Sequence, residues 1–270
     1  MCNKENPIGI FDSGIGGLSI LEELIKELPN ESYEYIGDTL RMPYGTRSPE
    51  EISAFTCECL NFLKEKNIKA AVLACNTATC YAIEDARKLF NFPILGVVEP
   101  ACEYAAEVSK NKKIALIATE STVKSEVYNR TLKSMDSEID IRGVGAPDLV
   151  IAIENGLLQG EELENIIKRY LNELGDFKYD TLILGCTHFA LVTKTFKKIF
   201  EEANIDISFV NPAKGTALNL KKLLQENLLS EDENKSTLNF YATKDIKHFE
   251  ENVFNVVGDN ITDSFTEIKF

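Results

Sequence analysis

Histidine is nearly absent from this sequence: His188 and His248 are the only two in 270 residues. Cys57 and Cys59 stand two apart in a helix-like stretch and leave it on different sides, so no paired zinc pattern exists and no metal is expected. No apolar run approaches the roughly 18 residues that a membrane-spanning helix needs. The opening MCNKENPIGIF has no basic segment leading into an apolar stretch, so no secretory signal is expected. Basic residues are outnumbered, 29 against 43, giving a formal charge of −14. That deficit argues against a nucleic-acid partner, which usually meets a basic face. It says little about a small anionic ligand, which feels local donors rather than net charge. Low-complexity segments and flexible linkers are also missing, and the acidic LLSEDENKS near 228–236 reads as a solvated loop.

What is present points to a large buried core, since 44% of residues are hydrophobic. The length suits two domains of roughly 100–200 residues. Seven cysteines, an odd number spread along a long chain, fit a reducing cytoplasm better than a disulfide framework. Short apolar runs recur: PIGIF, YEYIGD, KAAVLAC, FPILGVVE, KKIALIAT, EIDIRGVGA, YDTLILGC, DISFVNPA and TLNFYAT. Helix-like stretches such as LSILEELIKEL and EEISAFTCECLNFLKE lie between them. Alternation of this kind predicts an α/β fold with mainly parallel, buried strands. Ligands in such sheets gather at the carboxyl ends of the strands.

The chain is also weakly duplicated. PIGIFDSGIGG pairs with KIALIATESTV, and KAAVLACNTAT pairs with YDTLILGCTHF. Two pseudo-symmetric α/β domains facing a central cleft are therefore expected, with residues 1–100 plus 212–270 carrying Cys75 and residues 101–211 carrying Cys186. Related halves arranged in this way would bring the two thiols to opposite walls.

Each candidate motif has a plain structural alternative. DSGIGG follows a strand and opens a helix; Gly14, Gly16 and Gly17 permit a tight turn, and free amides at a helix start suit an anion. Asp38 imitates a ribose-binding acid, but a dinucleotide fingerprint lacks its third glycine at Ser19, and Asp12 would set a negative charge beside the pyrophosphate. An amino-acid site explains Asp12 and Ser13 better, because a carboxylate can hold an ammonium group. Free cysteines are usually small buried hydrophobes, the reading that suits Cys2, Cys57, Cys59, Cys80 and Cys102. Cys75 differs because Asn76 and Thr77 follow it, poor strand continuations but good donors in a turn. Cys186 has His188 two residues on as a proton partner, so a Cys–His nucleophile for acyl transfer competes. That alternative leaves the second thiol unexplained. RMPYGTRS reads as an exposed turn shaped by Pro43 and Gly45, with Tyr44 able to close over a ligand. Glu154, by pattern alone, is a solvated charge.

Taken together, DSGIGG, PYG, ACNTAT and GCTH, in that order and spacing, resemble the glutamate racemase family of the aspartate/glutamate racemase superfamily. The likeness extends from GIFDSGIGGLS through YIGDTLRMPYGTRS, GVVEPA, IATESTVKSEVY and IENG to the NFYAT ending. The resemblance implies a cofactor-independent isomerase with Cys75 and Cys186 as its acid/base pair. Asp12, Glu154 and His188 would support them, and Ser13, Pro43, Tyr44, Gly45, Asn76, Thr77, Thr119 and Thr187 would line the site with Asp12 and His188. It further implies L- and D-glutamate as substrates, D-glutamate for peptidoglycan as product, a bacterial cytoplasm and a homodimer. Departures from the family pattern are Phe189–Ala190 after GCTH, Ala101 after GVVEP, and Ala146 before Pro147. A decarboxylase or isomerase of small dicarboxylates need not keep both thiols, and a regulator of DNA gyrase would need no chemistry at all.

Two monoprotic groups answer the demand of racemisation, in which a proton leaves one face of a carbon and another arrives on the opposite face. A free thiol titrates near ~8.5, and bringing it to about 7 takes roughly 2 kcal/mol. A helix N-terminus supplies up to about 2 kcal/mol.

Overall fold

Strands buried on both faces set the architecture. A computed structural model describes residues 3–224, 228–230, 236–257 and 264–270; Cys2 and residues 231–235 of the acidic stretch lie outside them. The chain forms two compact units, one of residues up to Val97 together with Ala213–Phe270, the other Val98–Pro212. The first contains β1 (Ile8–Asp12), α1 (Leu18–Glu27), β2 (Tyr33–Gly37), a 3-10 turn (Tyr44–Thr46), α2 (Pro49–Glu65), β3 (Ala70–Leu73), α3 (Asn76–Leu89) and β4 (Ile94–Gly96). The second runs through α4 (Val98–Val108), β5 (Lys113–Ala118), α5 (Glu120–Lys124), α6 (Val127–Met135), β6 (Asp140–Gly145), α7 (Pro147–Glu154), α8 (Glu161–Glu173), β7 (Thr181–Gly185), α9 (Thr187–Leu191), α10 (Thr193–Glu202) and β8 (Ser208–Val210). After α11 (Pro212–Leu224), the chain completes the first unit with β9 (Leu238–Ala242), α12 (Ile246–Val257) and β10 (Ser264–Glu267).

Every strand pairing among the described residues is parallel. The first sheet has the order β10-β9-β2-β1-β3-β4 and the second β6-β5-β7-β8. The duplication seen in the sequence is thus a repeated strand order, β2-β1-β3-β4 against β6-β5-β7-β8, and the first unit extends its copy with β9 and β10. All residues of β1, β2, β3 and β7 are buried, which explains why β1, β3 and β7 read as largely apolar runs rather than alternating ones; in β2 the buried Glu34 is satisfied by the Tyr241 hydroxyl and the Asn239 side-chain amide. All nine apolar runs are strands. The tenth, SFTE, is an edge strand with no fully buried residue and had no hydrophobic signal to betray it.

Local chemistry fixes the helix starts. Ser48 accepts the Glu51 amide while the Glu51 side chain accepts the Ser48 amide, and Pro49 fills the first helical position of α2. In α8 the buried residues Leu163, Ile167 and Tyr170 recur at helical spacing, and three glutamates occupy the first turn.

Candidate active site

In the first unit β1 and β3 run in register with Phe11 opposite Leu73. Asp12 and Ser13 therefore leave the sheet beside Ala74 and Cys75, at the carboxyl edge. Cys75 caps α3 directly: its sulfur accepts the Ala78 amide at 3.5 Å and its S–H points to the Ser13 hydroxyl at 3.7 Å. Asn76 and Thr77 are not in an open turn. Both are buried in the first turn of α3, so the sequence expectation is corrected here: the polar residues after Cys75 begin a helix.

Asp12 is buried and accepts the Gly14 amide on Oδ2 at 3.0 Å. One of the glycine-turn amides expected to greet an anion is therefore already given to Asp12. Gly17 serves packing. A methyl group there would lie 2.6 Å from the Tyr35 hydroxyl, 2.7 Å from Asp12 Cβ and 3.0 Å from Ala74 Cβ. The helix start is pressed against the strand ends that carry Asp12 and Cys75.

The RMPYGTRS stretch departs from its expected exposed turn. Tyr44 is 1% exposed, packs on Phe11 and Phe55, and donates its hydroxyl to Asp38 at 2.5 Å. Pro43, following a cis Met42–Pro43 bond, and Gly45 are partly buried on either side of it. Asp38 is closed off as a ribose ligand, because its carboxylate is taken up by protein donors: Tyr44, Arg41 at 2.6 Å and Thr243 at 2.9 Å.

In the second unit the same strand logic recurs. Ile117 of β5 pairs with Leu184 of β7, as Phe11 pairs with Leu73, and in each case the cysteine stands two residues beyond the paired leucine. Gly185 allows the close approach: a methyl group there would lie 2.5 Å from Leu116 Cδ1. Cys186 precedes the short α9, makes no capping bond, and meets His188 Nδ1 at 3.5 Å instead. His188 Nε2 bonds the Glu154 carboxylate at the end of α7. Glu154 is thus not simply a solvated charge; its side chain is 14% exposed and its partner is buried. Burial alone would depress the His188 imidazolium, but the neighbouring Cys186 and Glu154 outweigh it and hold His188 well above its ordinary 6.5. His188 thus bridges a carboxylate and a sulfur.

Thr119 stands at the position of the second domain that matches Ser13, one residue beyond the first strand of its sheet. It caps α5 by accepting the Thr122 amide at 3.1 Å. Thr187, the first residue of α9, is buried. Burial pushes the Cys57 and Cys59 thiols up. Among the described residues no group of three or more His, Cys, Asp or Glu side chains is placed to hold a metal ion.

The sequence profile of the Asp/Glu/Hydantoin racemase family matches residues 8–215. The chain belongs to this family. A curated glutamate racemase from Sulfurihydrogenibium is 40% identical over 231 residues, 84% of this chain and 89% of that protein. The crystal structure of glutamate racemase isoform RacE1 from Bacillus anthracis superposes with a TM-score of 0.93 at 34% identity, covering 99% of both chains. Glutamate racemase from Francisella tularensis, solved in complex with D-glutamate, gives a TM-score of 0.90 at 29% identity over 99% of this chain and 98% of its own. This member of the racemase family is accordingly an isomerase with the two-domain α/β fold. No helix among its described residues is long and apolar enough to cross a membrane.

The Ala78 amide on Cys75 and the Arg41–Thr243 clasp on Asp38 escaped sequence reasoning. The first is backbone and carries no residue signal. The second joins residues 205 positions apart.

Proposed function

We propose that this chain interconverts L- and D-glutamate without a cofactor, with Cys75 and Cys186 as the two proton carriers. The observation that carries the proposal is the repeated placement of the thiols. Each follows the same strand of a repeated sheet order, two residues past the leucine that pairs with the central strand. A fold needs no such repetition for stability, whereas a reaction with two equivalent faces does. The D-glutamate complex of the Francisella tularensis relative supports the choice of substrate.

In this reading Cys75, as thiolate, takes the α-proton of D-glutamate while Cys186, as thiol, delivers a proton to the other face. L-Glutamate leaves behind Cys75 as thiol and Cys186 as thiolate, and the reverse reaction begins from that state. The surroundings of the two sulfurs differ. Cys75 draws on the N-terminus of the fourteen-residue α3 through the Ala78 amide. Cys186 has the His188 imidazolium as counter-charge, itself held by Glu154. Ser13, Pro43, Tyr44, Gly45, Asn76, Thr77, Thr119 and Thr187 supply donors and walls for the carboxylates, and Asp12 holds the ammonium group. Without a cofactor to delocalise the carbanion, positioned donors and exclusion of water must lower most of the barrier. The product would serve peptidoglycan synthesis in a bacterial cytoplasm, as the family resemblance implies.

The test is purified protein with L- or D-glutamate in deuterated water, followed by optical rotation and α-hydrogen exchange, with no pyridoxal phosphate added. Inversion with deuterium at the α-carbon is expected. Absence of exchange with every dicarboxylic amino acid would refute the reading.

A further inference from the structure

Next to the first thiol site lies a charged cluster that the proton chemistry does not use. Asp38 follows β2 and is fully buried. Its Oδ2 accepts the Tyr44 hydroxyl at 2.5 Å and Arg41 Nε at 2.6 Å, and its Oδ1 accepts the Thr243 hydroxyl at 2.9 Å. Thr243 in turn accepts the Leu40 amide at 2.9 Å, and Thr39 exchanges two hydrogen bonds with the Lys244 backbone at 2.5 and 2.9 Å. The Arg41 guanidinium also binds Glu58 and lies 4.2 Å from the centre of the Phe55 ring. Arg47 Nε closes the segment on the Arg41 carbonyl at 3.1 Å.

A buried ion pair seldom stabilises a fold more than apolar side chains of equal volume would. A saturated carboxylate at the end of β2 therefore calls for a geometric explanation. Its backbone supplies one. The Asp38 amide binds the Asp12 carbonyl at 3.0 Å, so Asp38 is tied on one side to the strand end that bears Asp12. On the other side it holds Tyr44, which shares one buried cluster with Phe11 and Cys75.

We infer that Asp38 is a positioning residue: it locks the segment 39–47 so that Pro43, Tyr44 and Gly45 meet the substrate in a single arrangement. The inference rests on the glutamate reading for the identity of that substrate. Asp38 touches no reacting atom. Its influence passes through Tyr44, and binding rather than proton transfer should register its loss.

Two conservative variants test it, Asp38→Asn, which removes the charge, and Tyr44→Phe, which removes only the hydroxyl. In each, KM for glutamate should rise on the order of tenfold in both directions, with kcat held within about threefold, because uniform binding is what is lost. A merely structural defect would lower kcat by depleting folded enzyme and leave KM alone. The double variant should be no worse than the more affected single one, since both break the same link. Amide hydrogen exchange across 39–47 should speed up by on the order of tenfold in either variant, with β1 and β3 remaining protected. Unchanged exchange in the segment, additive effects, or a fall in kcat at constant KM would each overturn the assignment. Wild-type protein that fails to invert glutamate would sink the functional reading alone, and the exchange measurement would still decide the role of Asp38.

Discussion

Replacing Glu154 by glutamine removes a charge while keeping the size and one acceptor oxygen, and its effect should be read at His188. The imidazole is 3% exposed. Burial disfavours its charged form, yet Cys186 and Glu154 together hold its pKa above the ordinary value. A hydrogen bond to a charged group contributes about 1.5–3 kcal/mol, and each pKa unit corresponds to about 1.4 kcal/mol. Loss of the Glu154 charge should therefore lower the His188 midpoint. The sign for stability follows. A histidine raised in the folded state contributes stability that is complete below its unfolded value near ~6.5 and fades as pH rises through the folded value. Glu154→Gln should reduce that contribution on the acid side and change little in alkali. The assay is unusually clean, because the chain has only two histidines: ring-labelled imidazole signals report His188, with His248 as the internal control. Because the two enantiomers have equal free energies, kcat/KM must fall equally in both directions, by about ten- to a hundredfold if the lost interaction is expressed in the transition state. A His188 midpoint unchanged from wild type would refute the charge-pair argument.

Cys75→Ala and Cys186→Ala should each abolish inversion of glutamate, measured by circular dichroism; substantial turnover by either would dismiss the two-thiol assignment. Gly17→Ala should destabilise the first unit by about 1–3 kcal/mol in urea unfolding, because the added methyl would sit 2.6 Å from the Tyr35 hydroxyl and 2.7 Å from Asp12 Cβ; wild-type stability would show that the helix start yields freely. Lys69→Met should cost about 3–5 kcal/mol, since it strands Glu31 in a pair where both side chains are buried. Adding Glu31→Leu should recover most of that loss by denaturant titration, and a double variant as weak as the single would contradict the explanation.

How much of this was legible in the residues depends on the range of the interaction. Runs such as KAAVLAC and YDTLILGC announce themselves because strands covered on both faces must be apolar throughout, and a small polar turn after each marks where loops carry chemistry. Ser264–Glu267, lying at the sheet edge, had no such obligation and stayed silent. Glu154 illustrates the opposite limit. At helical spacing among apolar neighbours it reads as a solvated charge, and only the family resemblance raised it; its contact with His188 spans 34 positions and no local pattern encodes it.

The burial of Tyr44 is hidden from the sequence for a related reason. Proline and glycine around it signal a turn, but whether a turn is exposed depends on what else packs there, and here Phe11, Phe55 and Asp38 do. Sequence alone determined the alternating elements, the duplicated halves and the two thiols at strand ends, because periodicity and turn chemistry act over a few residues. Tertiary structure alone decided that the Ala78 amide reaches the Cys75 sulfur, that Glu154 holds His188, and that Asp38 is held by a threonine 205 positions away. Burial and electrostatic pairing depend on neighbours in space, which the chain order does not specify.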